Sequence, residues 1–324
     1  MLSNQVAISN YLSHSCYEEG LSEIIEGLSA QQKYLPSKLF YDEHGSKLFE
    51  DITHLPEYYP TRTEKAILRE IAPQISGTLK NIDIIELGSG DCSKISILLN
   101  SMPIDNRSTV RYIPVDVSYS SILRSTGTLV KKFPGLTIYG LLADFLKHLS
   151  VIPHDSTRLI CFFGSTLGNL TREQSNQFLL DLKEIMKPGD QLLIGLDKVK
   201  DVKILEQAYN DNQGITAAFN KNILNVVNNC LKTALNPGWF EHLAYYNHAK
   251  TRIEMHLRAL KDMEVNSRYL PAKIRLKKGE TIHTENSHKY THEHINDFAS
   301  LTSFKINNIY SDKNQWFSLV HFIA

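Results

Sequence analysis

The chain has 324 residues, 42% of them hydrophobic, with 35 Lys+Arg balanced by 35 Asp+Glu, enough for one large domain or two smaller ones with real cores. A formal net charge of zero offers no broad attraction for nucleic acid or an anionic membrane, so any ligand has to be recognised locally. Cys16, Cys92, Cys161 and Cys230 are far apart and form no C-x-x-C pair, which reads as buried or incidental thiols in a reducing compartment. Residues 1–17 have neither a basic start nor a sustained apolar core, and no apolar run approaches the roughly 20 residues needed to span a bilayer. A cytoplasmic monomer with a small-molecule partner, no nucleic acid and no membrane contact is expected.

In chain order, the first 62 residues read as helical, with a tight turn at Asp42-Glu43-His44-Gly45. From there β-branched apolar runs alternate with amphipathic stretches. Strands are expected at 82–87, 110–117, 136–143, 159–163 and 191–196, with helices at 93–99, 119–132 and 172–186. Strict alternation argues for a mostly parallel sheet covered on both faces. Residues 199–288 leave this rhythm, reading as long helical patterns followed by an extended charged segment. Runs at 304–310 and 316–323 flank a polar turn and predict a hairpin at the sheet edge. The expected division is therefore a sheet domain of 63–197 plus 289–324, and a second, discontinuous lobe of 1–62 plus 198–288.

The strand ends carry the chemistry. The run IIELGSGD at 84–91 places a strand before a glycine-containing loop and a helix. The dinucleotide pattern G-x-G-x-x-G fails because its sixth position is Ser93, and Glu86 and Asp91 are poor company for a pyrophosphate. They suit a cationic, phosphate-free ligand, and S-adenosylmethionine fits that description. Asp116 at the next strand end is placed to accept from ribose hydroxyls, while Asp144 and Phe145 at the third offer a carboxylate and an aromatic wall to adenine. The fourth strand ends in FGSTLGN at 163–169. Singly, a G-S-G loop is most often an ordinary turn, and Asp116 or Asp144 an ordinary helix cap.

The blocks LPSKLFYDEHGSKLF at 35–49 and LPEYYPTRTE at 55–64 closely resemble the N-terminal signature of the histidine-specific methyltransferases. The resemblance continues through ELGSG, PVDVS, FGSTLGN, AYND at 208–211, GITAAFN at 214–220, RIEMHL at 252–257 and TENS at 284–287, covering nearly the whole chain. It implies an α/β fold with a Rossmann-like class I methyltransferase sheet and a substrate-binding lobe. It also implies transfer of methyl groups from S-adenosylmethionine to the α-amino nitrogen of L-histidine, three times, giving hercynine for ergothioneine biosynthesis and S-adenosylhomocysteine as by-product. By the same resemblance Tyr41, Gly88, Lys94, Asp116, Asp144 and Phe145 bind the cofactor. Tyr58, Asn169, Tyr209, Thr216, Met255, Glu285 and Ser287 bind histidine, with Asn169 and Tyr41 nearest the chemistry. The length leads one to expect no sulfur-inserting oxygenase domain such as fused relatives carry.

These residue types suit an amino acid. Asn169 offers a donor and an acceptor, Tyr209 a hydroxyl, and Glu285 with Ser287 a partner for each imidazole nitrogen. Other readings exist for each residue: Tyr58-Tyr59-Pro60 as core aromatics before a helix, Thr216 as a cap, Glu285 as an ion-pair partner of Lys289. An Nα-methyltransferase of tryptophan or tyrosine, or a non-catalytic binding protein on the same scaffold, are the rival functions. His283, His288, His292 and His294 lie close in sequence but lack H-E-x-x-H spacing, and no metal is expected.

Overall fold

The computed structural model describes residues 5–12 and 14–324, with the side chains of 14–19, Cys16 among them, outside the described residues. Two compact units are present: Met1–Leu12, Pro60–Val199 and Lys289–Ala324 form unit 1, and Ser13–Tyr59 with Lys200–His288 form unit 2. Among the described residues no helix is long and apolar enough to cross a membrane.

Unit 1 is built on an eight-stranded sheet. Its strands are β1 (Val6–Asn10), β3 (Ile82–Leu87), β4 (Arg111–Asp116), β5 (Thr137–Leu142), β6 (Thr157–Phe162), β7 (Gln191–Asp197), β13 (Lys305–Ser311) and β14 (Phe317–Ile323), in the spatial order β1-β5-β4-β3-β6-β7-β14-β13. The first six run parallel, whereas β14 lies antiparallel to β7 and closes a hairpin with β13. This confirms an α/β sheet with a hairpin at its edge. The strand order reverses between β3 and β6, the switch point where open α/β sheets bind ligands at the carboxyl ends of their strands.

Alternating side chains of each strand feed two cores. Ile84, Leu159 and Leu193 pack with Ile67, Leu68 and Ile71 of α3 (Tyr59–Ser76) and Leu98 of α4 (Ser93–Ser101). Ile85, Ile160 and Ile194 face Phe178 and Leu182 of α7 (Arg172–Ile185) and Ile295 and Phe298 of α10 (His292–Thr302). Two short-range devices start helices cleanly: the Ser118 hydroxyl caps α6 (Tyr119–Lys132), and Thr171 with Gln174 forms a capping box on α7. The one-turn α5 (Ile104–Arg107) links α4 to β4.

The structure corrects the sequence reading in two places. Residues 6–10 are not part of a helical lobe; they add a strand beside β5, Val6 opposite Ile138 through Asn10 opposite Leu142. A five-residue edge strand carries too little pattern to be read. The extended, charged segment expected to follow the helical patterns within 199–288 is a set of paired strands in residues 240–288, a sheet the sequence reading did not assign. These residues supply β8 (Phe240–Asn247), β9 (Arg252–Ala259), the small pair β10 (Met263–Val265) and β11 (Ile274–Leu276), and β12 (Thr281–His288). With β2 (Lys33–Tyr34) these make a four-stranded sheet in unit 2, in the order β2-β12-β9-β8, apart from the two-stranded β10-β11. Four helices complete unit 2: α1 (His14–Ser29), α2 (Glu43–Thr53), α8 (Val202–Gln207) and α9 (Ile215–Leu231).

Glu86, in the middle of the sheet, is 2% exposed and accepts from the Tyr112 hydroxyl at 2.5 Å. Burial pushes its carboxyl up to about 8, with the Tyr112 bond opposing. Between the ordinary carboxylate range and pH 8 the folded state thus holds a proton that the unfolded state has released, so this group makes stability fall as pH rises, by up to about 1.4 kcal/mol per pH unit. Glu86→Gln should remove that slope. In urea titrations from pH 5 to 8.5 the variant is expected to gain on the wild type steadily toward the alkaline end; a constant difference would contradict the assignment.

Candidate active site

In unit 1 the loop after β3 turns on glycines with left-handed backbone, Gly88 at φ +73° and Gly90 at φ +50°. The Gly88 N–H donates to Val115 O at 2.8 Å, which fixes the loop to β4. At the end of β4 the Asp116 carboxylate accepts from the Ser118 N–H at 2.9 Å and the Gly90 N–H at 3.3 Å. Burial raises its carboxyl above the usual range against these backbone bonds. Ala143, just after β5, donates its N–H to Asp116 O at 3.0 Å. Asp144 follows, its side chain accepting from the Leu146 N–H at 3.0 Å. The Phe145 ring packs edge-on against Phe162 and Phe178, with centroids 5.3 and 5.8 Å away. A Cβ placed on Gly88 would lie 3.9 Å from that ring. Gly88, Asp116, Asp144 and Phe145 therefore gather at the carboxyl ends of three neighbouring strands, a cradle of open backbone, carboxylates and one aromatic edge that fits a nucleoside without phosphates.

Lys94 opens α4, and its Nζ lies 2.7 Å from Glu64 Oε2. Glu64 itself is fully buried, and its two oxygens accept from the Gly164 N–H at 2.9 and 3.0 Å. Gly164 and Ser165 both adopt left-handed backbone, after which a single 3-10 turn, Thr166–Asn169, carries the half-buried Asn169 at its end. The Ser165 hydroxyl accepts from the Asp197 N–H at 2.9 Å, tying this loop to β7. Glu64 was visible in sequence only as the last letter of a block; nothing in its surroundings there marks it as buried.

Unit 2 brings together Tyr58, Tyr209, Met255, Glu285 and Ser287. In β12 and β9, Glu285 lies opposite Met255 and Ser287 opposite Ile253, so these four share a face. The Tyr209 hydroxyl donates to Ser287 Oγ at 2.7 Å. Tyr58 meets Tyr209 edge-to-face with centroids 6.3 Å apart, and an aromatic row continues through Phe49 to Tyr41, at 6.2 and 5.7 Å. Phe49, to which the sequence assigned no role, joins Tyr41 to Tyr58 in this row. Thr216 stands in the first turn of α9, its N–H held at 2.8 Å by Asp211, which also accepts from the Ile215 N–H at 2.9 Å. Asp211 is thus the residue that anchors the helix start. The Lys289 ammonium lies 2.7 Å from Asp197, both residues fully buried in unit 1.

Glu254, His256 and His283 offer ligand atoms within 4.8 Å of one another. The Glu254 carboxylate already accepts from Arg252 at 2.6 and 2.8 Å and from the Tyr245 hydroxyl at 2.9 Å. Burial works against its charge, but these bonds and that from His256 hold its carboxyl well below the usual range. Arg252 supplies the positive charge that a metal would bring. Among the other histidines named above, His294 completes the capping box of α10.

The profile of the family described as histidine-specific methyltransferase, SAM-dependent, matches residues 21–324. The histidine N-alpha-methyltransferase of Mycolicibacterium smegmatis is 42% identical over 292 residues, 90% of this chain and 90% of that protein. That of Mycobacterium tuberculosis is 40% identical over 288 residues, 88% and 89% of the two chains. Ergothioneine biosynthesis protein 1 of Neurospora crassa is 35% identical over 205 residues, 61% of this chain and 22% of its own length. Among solved structures, mitomycin 7-O-methyltransferase aligns at 10% identity with a TM-score of 0.49, covering 96% of this chain and 68% of that one.

A Cβ on Gly195 would sit 2.1 Å from Glu64 Oε1, so the buried carboxylate depends on a bare strand position as much as on its partners. Glu64→Ala leaves the Gly164 N–H and the Lys94 ammonium without their acceptor and is expected to cost about 3–5 kcal/mol, the range for breaking a buried pair by one partner. Gly195→Ala should destabilise too, by displacing the same carboxylate. Urea unfolding of the two variants checks both; losses under about 1 kcal/mol, as at an exposed pair, would show that the site is not a structural anchor.

Proposed function

The chain belongs to the histidine-specific, S-adenosylmethionine-dependent methyltransferase family, and from that premise we propose that it methylates the α-amino nitrogen of L-histidine three times, giving hercynine on the way to ergothioneine. The observation that carries the substrate assignment is the face of β12 and β9 on which the Glu285 carboxylate and the Ser287 hydroxyl stand together, opposite Met255 and Ile253, with Tyr209 bonded to Ser287. A carboxylate and a hydroxyl two residues apart on one strand face match the two nitrogens of an imidazole.

S-adenosylmethionine, when bound, supplies an electrophilic methyl group on a sulfonium that leaves as a neutral thioether. The chain's own work is to hold and orient. Asp116 and Asp144 are assigned the ribose hydroxyls and the adenine amine, Phe145 the ring, and Gly88 the close backbone approach. Tyr41 and Lys94 are the further cofactor contacts. Asn169, with a donor and an acceptor on one amide, is assigned the amine and carboxylate of histidine. Tyr58, Tyr209, Thr216 and Met255 line the remainder. Each transfer forms an N–C bond from the nitrogen lone pair after its proton leaves to solvent, so no dedicated general base is required. Anchoring at the imidazole end leaves the nitrogen free to grow.

Incubating the purified protein with S-adenosylmethionine and each of the twenty amino acids, with products read by mass spectrometry, tests the reading. Trimethylated histidine is expected, and equal or better turnover of tryptophan or tyrosine would overturn it. Glu285→Ala should lower kcat/KM for histidine by about 10–150-fold, the worth of a hydrogen bond to a charged group, with cofactor affinity unchanged. Asp116→Ala should do the reverse, weakening S-adenosylmethionine by about 1.5–3 kcal/mol in calorimetry.

A further inference from the structure

We propose that Asn220 and Thr284 are positioning residues that turn Glu285 and Ser287 toward the histidine site, and thereby set substrate selectivity. The inference rests on the histidine reading above and names the groups that make its pocket selective. In an unbroken strand, residues two apart share a face. His283 and Glu285 do not. His283 lies opposite His256, and their rings stack at 4.7 Å, on the face that carries Glu254. Glu285 lies opposite Met255, on the other face, because the register shifts between 283 and 285. One extra residue, Thr284, inverts every side chain after it. Without that bulge Glu285 and Ser287 would project among Arg252, Glu254 and His256.

The bulge is held by a buried polar network. Thr284 is 2% exposed, and its hydroxyl donates to Asn220 Oδ1 at 2.6 Å while lying 3.0 Å from Met255 O. Asn220, on α9 and fully buried, spends its Nδ2 hydrogens on His256 O at 3.0 Å and on His242 Nδ1 at 2.9 Å. The opposite nitrogen of that ring, His242 Nε2, donates to Tyr209 O at 2.8 Å. Burial keeps His242 on the neutral side of its ordinary range, as one accepting and one donating nitrogen require. A single proton arrangement satisfies each of these bonds. Asn220 therefore joins the backbone of β9, the bulge of β12 and the backbone of Tyr209, the residue whose hydroxyl meets Ser287. A network satisfied in only one arrangement fixes one geometry.

The test compares wild type, Thr284→Val, Thr284→Ser, Asn220→Ala, Glu285→Ala and the Thr284→Val/Glu285→Ala double variant, all checked for cooperative unfolding. Thr284→Val keeps the shape of the side chain and removes its donor. It is expected to raise KM for histidine about tenfold or more, the worth of one buried hydrogen bond, with kcat within about threefold and S-adenosylmethionine affinity unchanged. Preference for histidine over tyrosine and tryptophan should fall by a similar factor. Asn220→Ala should behave alike, Thr284→Ser should restore the wild-type KM, and the double variant should be no worse than Glu285→Ala, since both changes remove the same contact. Folded Thr284→Val with wild-type KM and selectivity overturns the proposal, as does a loss that adds fully to that of Glu285→Ala or that falls equally on the cofactor. Wild-type turnover distinguishes the two readings: failure to methylate histidine defeats the function, and the same selectivity comparison with whichever amino acid is used then decides the positioning role.

Discussion

A single carboxylate without solvent, Glu64, holds the ligand end of the unit 1 sheet together. It stands in the first turns of α3, receives the Gly164 N–H from the loop after β6, pairs with Lys94 at the start of α4, and occupies the space that a side chain at Gly195 of β7 would need. Four elements that are separate in sequence thus meet at two oxygens. The cost of burying that charge is offset only because a charged donor and a backbone donor converge on it. The same arrangement explains why the loop carrying Asn169 begins with two residues in left-handed backbone, Gly164 and Ser165: the chain turns sharply to present the Gly164 N–H inward to Glu64 and the Ser165 hydroxyl to Asp197.

Unit 2 solves a different problem. Its four-stranded sheet has two faces with unlike tasks. On one, Arg252, Glu254, His256, Tyr245 and His283 are joined through charged hydrogen bonds and stacked rings. Burial and the neighbouring His256 push His283 down to about 4, so it stays neutral beside Arg252 and completes the stack without adding charge. On the other face stand Glu285 and Ser287. Were both sets of ionisable groups on the same face, Arg252 would compete with a substrate for the Glu285 carboxylate. A one-residue bulge separates the two sets, placing Glu285 and Ser287 on the face opposite Arg252, Glu254 and His256.

The parallel sheet was legible in the sequence because its strands are buried on both faces and read as continuous apolar runs: the reading of 82–87 matches β3, and that of 119–132 matches α6. Strand ends and glycines marked where loops leave the sheet, and the structure gathers Gly88, Asp116, Asp144 and Phe145 there. The sheet of unit 2 was not legible, because a buried polar face breaks the usual signal. In β9 the alternation of Arg252, Glu254 and His256 with Ile253, Met255 and Leu257 is a period of two, yet every one of those residues is buried. A pattern that ordinarily means inside and outside here means one interior against another. The bulge at Thr284 is invisible to periodicity, since it appears only when the register with β9 is known. Asn220 and Glu64 share this property: their importance lies in partners on other elements, 22 or more residues away.

The aromatic row from Tyr41 through Phe49 and Tyr58 to Tyr209 bears on how one enzyme would carry a nitrogen through three methylations. Each transfer removes one N–H donor from the substrate, so hydrogen bonds to the amine weaken stepwise and vanish for the last product. Its positive charge persists, and attraction between a cation and an aromatic face does not require a donor. An anchor made only of hydrogen bonds at the amine would release the intermediates. In the proposed pocket, an anchor split between the imidazole, assigned to Glu285 and Ser287, and a row of rings would be indifferent to how many methyl groups the nitrogen carries. The chemistry of repetition therefore sets a demand on the pocket that a single methylation would not: the groups that recognise histidine must act on the end that never changes.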